Sequence, residues 1–180
     1  MWVRDLTLAA CLVPIPVAAA CNDGAAPSYE DITYVSVTQY SLVKPLYPRF
    51  RYEARLTPRS AEPGRRAMAT LNATRSVKLI GNFVAVDPQR AFRDVVATLE
   101  RDRFFELRLR PAPPNIGYID GPEDAITVVR CGVTTTLGTI ASGGQVQLDD
   151  AQGNAFRSLE GDLRATIFSE GWVTPTPAPK

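Results

Sequence analysis

Apolar and polar residues alternate most cleanly at residues 49–56, where Phe50, Tyr52, Ala54 and Leu56 interleave with Arg49, Arg51, Glu53 and Arg55. A period of two places the first set on one face and the charged set on the other, the pattern of an antiparallel strand with one wetted side. Residues 32–40 are dense in β-branched and aromatic side chains and predict another strand. A third is expected within 67–79, around Ala69, Leu71 and Ala73 and on to Val77 and Leu79. Pro58, Pro63 and Gly64 mark the hairpin loop before it. The period then lengthens. Asp87 and Pro88 supply an N-cap and a first helical residue, and Phe92, Val95, Val96 and Leu99 fall on one stripe of a helix over 88–102. Arg90, Arg93, Asp94, Glu100 and Arg101 take its other side. Phe104, Phe105, Leu107 and Leu109 suggest a short strand with Arg108 and Arg110 outward, followed by a Pro-rich loop over 111–122. Residues 125–130 and 133–140 predict a hairpin turning at Arg130-Cys131-Gly132-Val133. A second helix over 153–168 carries Phe156, Leu159, Leu163 and Ile167, although Gly161 within it costs about 1 kcal/mol relative to alanine. From Val173 onward Thr, Pro and Ala predict an exposed extended tail. The order β-β-β-α-(β)-β-β-α predicts an α+β two-layer sandwich, an antiparallel sheet with two helices on one face.

Residues 6–20 are uncharged and mostly apolar, too short to span a bilayer comfortably and interrupted by Pro14 and Pro16. They read as a secretory signal over 1–20 with Ala18, Ala19 and Ala20 at the cleavage region. Ala18-Ala19-Ala20-Cys21 resembles the lipobox of bacterial lipoproteins, which makes Cys21 the expected lipidation site. Leu8-Ala9-Ala10-Cys11 fits that box but leaves almost no apolar region ahead of it. Residues 21–30 then form a flexible tether, 31–170 a single domain and 171–180 a Pro-rich tail. The expected address is the periplasmic face of a bacterial membrane, held through a lipid anchor. Plain secretion by cleavage near the same point is the alternative. The chain has three cysteines. Cys11 leaves with the signal, and a lipidated Cys21 leaves Cys131 without a partner; an unmodified Cys21 makes a Cys21–Cys131 bridge available.

The chain has 180 residues, a net charge of +1 and no histidine. The length suits one domain, and the near-neutral charge provides no field for nucleic acid. The missing histidine removes the commonest general base, the commonest zinc ligand and every Ser/His or Cys/His nucleophile pair. Neither a phosphate-binding Gly-x-x-x-x-Gly-Lys loop, a Gly-x-Gly-x-x-Gly fingerprint, a Gly-x-Ser-x-Gly elbow nor a Cys-x-x-Cys pair occurs. No cofactor, metal site or catalytic residue is therefore assigned.

Two clusters remain. Asp120, Glu123 and Asp124 are the densest acids; they read as a turn entering a strand, or, paired with Asp149 or Asp150, as an acid/base set. Their spacing lacks the alternation of an EF-hand loop. Arg49, Arg51 and Arg55, with Arg108 and Arg110 on a neighbouring strand, could form a basic face for phosphate or anionic lipid, although Glu53 sits among them. Cys131 reads as an ordinary turn cysteine.

Tyr47-Pro48-Arg49-Phe50 entering a strand, and Ile119-Asp120-Gly121-Pro122 ahead of the strand at 125–129, are similar to motifs of a bacterial exported domain-of-unknown-function family, number 6438. The resemblance spans about residues 32–168; Tyr47 stands where the family has a cysteine, and the family's cysteine pair is missing. It implies the fold and export, and no activity. The expected function is a lipid-anchored, non-enzymatic binding or structural module of the bacterial envelope, with an envelope protein or the cell wall as partner. Its contact surface is expected on an exposed sheet face or edge, or on the 111–122 loop. A small exported hydrolase working through Asp120, Glu123 and Asp124 is the alternative.

Overall fold

The two-residue period at 49–56 builds β2 (Arg49–Pro58) of a seven-stranded antiparallel sheet. The structure is a computed structural model describing residues 28–40, 49–58, 65–75, 79–110, 123–138 and 150–176. The other strands are β1 (Ile32–Tyr40), β3 (Arg65–Arg75), β4 (Gly81–Ala85), β5 (Glu123–Arg130), β6 (Val133–Gly138) and β7 (Trp172–Val173). Their spatial order is β6-β5-β1-β2-β3-β4-β7. Helices α1 (Pro88–Arg101) and α2 (Ala151–Ser169) cover one face, so the fold is an α+β two-layer sandwich.

Val35 and Val37 of β1, Phe50, Tyr52 and Ala54 of β2, Ala69, Leu71 and Ala73 of β3, and Ile126 and Val128 of β5 supply the buried side of the sheet. Phe156, Leu159, Leu163 and Ile167 of α2 are buried against it as the spacing predicts. In α1, Phe92, Val95 and Leu99 are buried with Ala91 and Thr98, whereas Val96 lies at the edge of the stripe and is only half-buried. The Asp87 carboxylate accepts the Arg90 N–H at 2.9 Å, and the Asp150 carboxylate caps α2 by accepting the Gly153 N–H at 2.7 Å. Helix meets helix through the Thr98 and Thr166 hydroxyls, 3.0 Å apart, and an Arg101–Asp162 ion pair at 2.7 Å.

Four expectations change. The third strand is described over Arg65–Arg75, with Val77 outside the described residues, and residues 81–85 form a separate strand whose length and Gly81-Asn82 start hid it from pattern reading. Residues Phe104–Glu106 make a 3-10 turn where a strand was expected; the left-handed Arg103 (φ 53°) ends α1 and turns the chain back. Arg108 therefore lies off the sheet, donating to the Phe105 and Leu107 carbonyls at 2.8 and 2.7 Å. The folded unit extends past both expected ends. Tyr29 packs on Phe105 with ring centroids 5.2 Å apart. At the other end, Trp172 and Val173 pair with β4, while the Trp172 indole N–H donates to the Ile167 carbonyl at 2.8 Å. Among the described residues no helix is long and apolar enough to cross a membrane.

Candidate functional site

The alternation that buries one side of each strand sends the other side to the face that the helices leave open. Register aligns Thr136, Thr127, Ser36, Glu53, Thr70, Val84 and Val173 in one row across all seven strands. The neighbouring row holds Thr38, Arg51, Asn72 and Asn82. Glu53 is the hub. Its Oε1 accepts the Tyr34 hydroxyl at 2.8 Å and the Arg51 guanidinium at 2.7 Å. Partial burial alone would raise the Glu53 carboxyl, but the Tyr34 bond, the Arg51 bond and charge, and Arg55 outweigh it and hold it below its ordinary value. Tyr34 is raised by burial and by its bond to Glu53. Beside this hub a groove of about 440 Å³ runs between Arg51, Glu53, Thr70 and Asn72 and the outer residues Asn82, Val84 and Pro175. The Asn72 amide donates to Asn82 Oδ1 at 2.5 Å and closes the groove floor.

The expected basic face assembles in part. Arg49, Arg51 and Arg55 share the open side of β2, with Arg51 paired to Glu53 and Arg55 donating to the Met68 sulfur at 3.7 Å, while Arg108 and Arg110 follow the 3-10 turn outside the sheet. The open side of β2 is therefore polar, with Arg51 paired to Glu53 and Arg49 and Arg55 carrying further positive charge.

Of the acidic cluster, Asp120 and the side chain of Glu123 lie outside the described residues. Asp124 points the other way from a solvent-facing turn: it is 5% exposed, on the helix-covered side, directly opposite Gln39 of β1. There α2 brings Glu160 against it, and the two carboxyls share a hydrogen bond while Gln39 donates to Asp124. The stem of Glu160 reaches the surface, but its Oε1 is shut off from solvent and has no hydrogen-bond partner, as is Gln39 Oε1. Burial pushes the Asp124 carboxyl up to about 6 against the bonds from Glu160 and Gln39 and the charge of Arg164. Burial and the Asp124 charge push Glu160 up to about 9, with Arg164 and Arg157 opposing. The pair accordingly titrates as a unit that holds one proton across the neutral range.

Glu160 carried no signal in the sequence, because a glutamate four residues before Arg164 looks like an ordinary exposed helix pair. Gln39 and Asp124 did carry one. Each is a polar residue in the apolar phase of its strand, following Val35 and Val37 in one case and preceding Ile126 and Val128 in the other.

Cys131 and Gly132 both have positive φ, 52° and 74°, and form the two-residue turn between β5 and β6. The Arg130 guanidinium lies 3.5 Å from the centre of the Phe105 ring, and the Cys131 N–H donates to the Asp31 carbonyl. Cys131 is disulfide-bonded, its partner lying outside the described residues. That corrects the expectation of an ordinary turn cysteine. Cys21, the expected lipidation site, also lies outside the described residues. Among those that are described, no three His, Cys, Asp or Glu side chains gather as metal ligands do.

Compared with known proteins, the chain matches no family model, no curated protein and no solved structure. The functional reading therefore rests on its own residues.

Proposed function

We propose that this chain is an exported, non-enzymatic binding module of the bacterial envelope that holds a neutral glycan of the cell wall across the open face of its sheet. The observation carrying this reading is the Tyr34–Glu53–Arg51 array beside the groove. Its charges neutralise each other, which disfavours a strongly charged ligand. Its hydroxyls and amides (Tyr34, Thr70, Asn72, Asn82) match a ligand built from hydroxyl and acetamido groups.

Export is supported by the apolar leader and by the disulfide at Cys131, since such bonds persist in oxidising compartments. Lipidation of Cys21 competes with the Cys131 disulfide, because Cys11 and Cys21 are the chain's other two cysteines and Cys11 would leave with the signal. A thioether on Cys21 would exclude that residue from the Cys131 disulfide, so intact mass of the processed protein, with and without reductant, distinguishes a lipid-bearing chain from a bridged one. The hydrolase alternative through Asp120, Glu123 and Asp124 is weakened because Asp124 is buried under α2 and engaged with Glu160.

The test is co-sedimentation of the processed protein with an insoluble, uncharged polymer of N-acetylglucosamine. Binding is expected, and Glu53→Gln or Asn82→Ala should weaken it about tenfold, as loss of a charge-assisted or buried polar contact does. Absence of sedimentation sinks the glycan reading; unchanged affinity in both folded variants moves the site elsewhere.

A further inference from the structure

We propose that Asp124 and Glu160 form a one-proton latch that fastens the N-terminal half of α2 over β1 and β5, and that loosens about Gly161 as the medium becomes more alkaline. Three features of the structure converge on this. The carboxyls are in hydrogen-bonded contact beneath the helix, an arrangement that is stable only while one proton lies between them. Few charges are available to replace that proton. Among the described residues the cations that reach the pair are Arg157 and Arg164, both on α2 itself; β1 contributes the uncharged Gln39, and the side chain of Glu123 beside Asp124 is not described. The third feature is Gly161, directly after Glu160. A Cβ there would meet nothing within 4 Å, so no close packing requires glycine, while its presence weakens the helix where the latch ends.

The two halves of α2 are held differently. Beyond Gly161 the helix is tied to α1 by Arg101–Asp162 and Thr98–Thr166, and to the chain's end by the Trp172 indole on Ile167. The half before Gly161 has the Asp150 cap, the Gln152 side chain accepting the Arg108 N–H at 2.9 Å, the buried Phe156 and Leu159, and the latch. Opening therefore begins in residues 151–160.

The sign follows from proton counting. The closed pair keeps a proton up to about 9, whereas a solvent-exposed glutamate loses it near its usual 4.5. Between about 6 and about 9, where Asp124 is ionised in both states, opening releases one proton. The opening constant then rises by up to about tenfold per pH unit and levels off above that window.

Hydrogen exchange of the full chain, corrected for intrinsic rates and followed from pH 6 to 9 by peptide mass, tests this. The wild type should lose protection in 151–160 ahead of 162–169, with a slope near one proton. Glu160→Gln, which keeps a donor to Asp124 but cannot ionise, should flatten the slope. Asp124→Asn, which removes the second charge but leaves Glu160 buried, should make the slope level off at a lower pH and serves if Glu160→Gln does not fold. Gly161→Ala should keep the slope and lower opening roughly fivefold throughout. A pH-independent wild type, equal loss in both halves of α2, or a Glu160→Gln profile that follows the wild type would each overturn the latch.

Discussion

Replacing Val95 by aspartate puts a carboxyl where α1 meets the sheet, at a side chain with 0% exposure. The lost burial of the valine costs about 1.5–3 kcal/mol. The new carboxyl must either stay ionised without a partner or take up a proton at neutral pH. A rise of three units from an ordinary aspartate would cost about 4 kcal/mol, each unit being about 1.4. Together these reach about 5–7 kcal/mol, comparable with the whole stability of a typical domain of about 5–15 kcal/mol. Val96 is its neighbour on the same predicted stripe, but it is half-buried, and an aspartate there can turn its carboxylate to water. Val96→Asp should cost about 1–2 kcal/mol. Urea unfolding followed by far-ultraviolet circular dichroism separates the two. Val96→Asp should give a cooperative transition at a modestly lower midpoint, and Val95→Asp a chain largely unfolded in buffer at pH 7. Because the buried carboxyl would have a raised pKa, the Val95→Asp penalty should be least when it is protonated and should grow as pH rises through 4 and above. A Val95→Asp protein with the wild-type midpoint, or a Val96→Asp protein more damaged than it, would refute the placement of α1 on the sheet.

Gly138→Ala should be among the most damaging single-methyl additions, because Gly138 has φ 137° and its Cβ would fall on the Asp124 backbone carbonyl. A loss of at least about 3 kcal/mol, or about 10 °C in melting temperature, is expected by calorimetry, accompanied by faster amide exchange in β6. Tyr52→Phe removes the buried hydroxyl that donates to the Ala91 carbonyl at 3.3 Å and should cost about 1 kcal/mol in urea unfolding. Burial raises the Tyr52 phenol well above its ordinary value, so in alkali its ionisation should coincide with unfolding and the substitution should remove one late-titrating phenol from the absorbance curve.

The parts of this fold legible in the sequence are those where one short-range period decides the structure. The Phe50-Tyr52-Ala54 alternation, the Asp87-Pro88 start of α1 and the Phe156-Leu159-Leu163-Ile167 stripe each set their burial within a few residues. The misread parts depend on contacts from far along the chain. Residues 81–85 are a strand because β3 lies on one side and Trp172–Val173 on the other. Phe104 and Phe105 are apolar in a row because they fill the space beneath Tyr29 and Arg130, which no local period encodes. The candidate sites divide the same way. The Arg51–Glu53 pair lies two residues apart on one strand face, whereas the partner of Asp124 comes from a helix that follows only after β6. The acidic cluster drew attention to Asp124 for its neighbours in sequence, and its chemistry comes from its neighbours in space.

The place of β1 in the sheet has a consequence for how the chain matures. Val35 pairs with Ala54 on one side, which is available early, but with Val128 on the other, which is synthesised only after β2, β3, β4 and α1. Nearly half of the sheet must therefore wait for the later part of the polypeptide, and β4 waits longer still for Val173 at the end. Such dependence on remote partners slows collapse to the native state. Under the proposed export, that delay would be an advantage: a chain unable to finish folding before translocation stays fit for passage, and its assembly would be completed afterwards, where Cys131 could be oxidised.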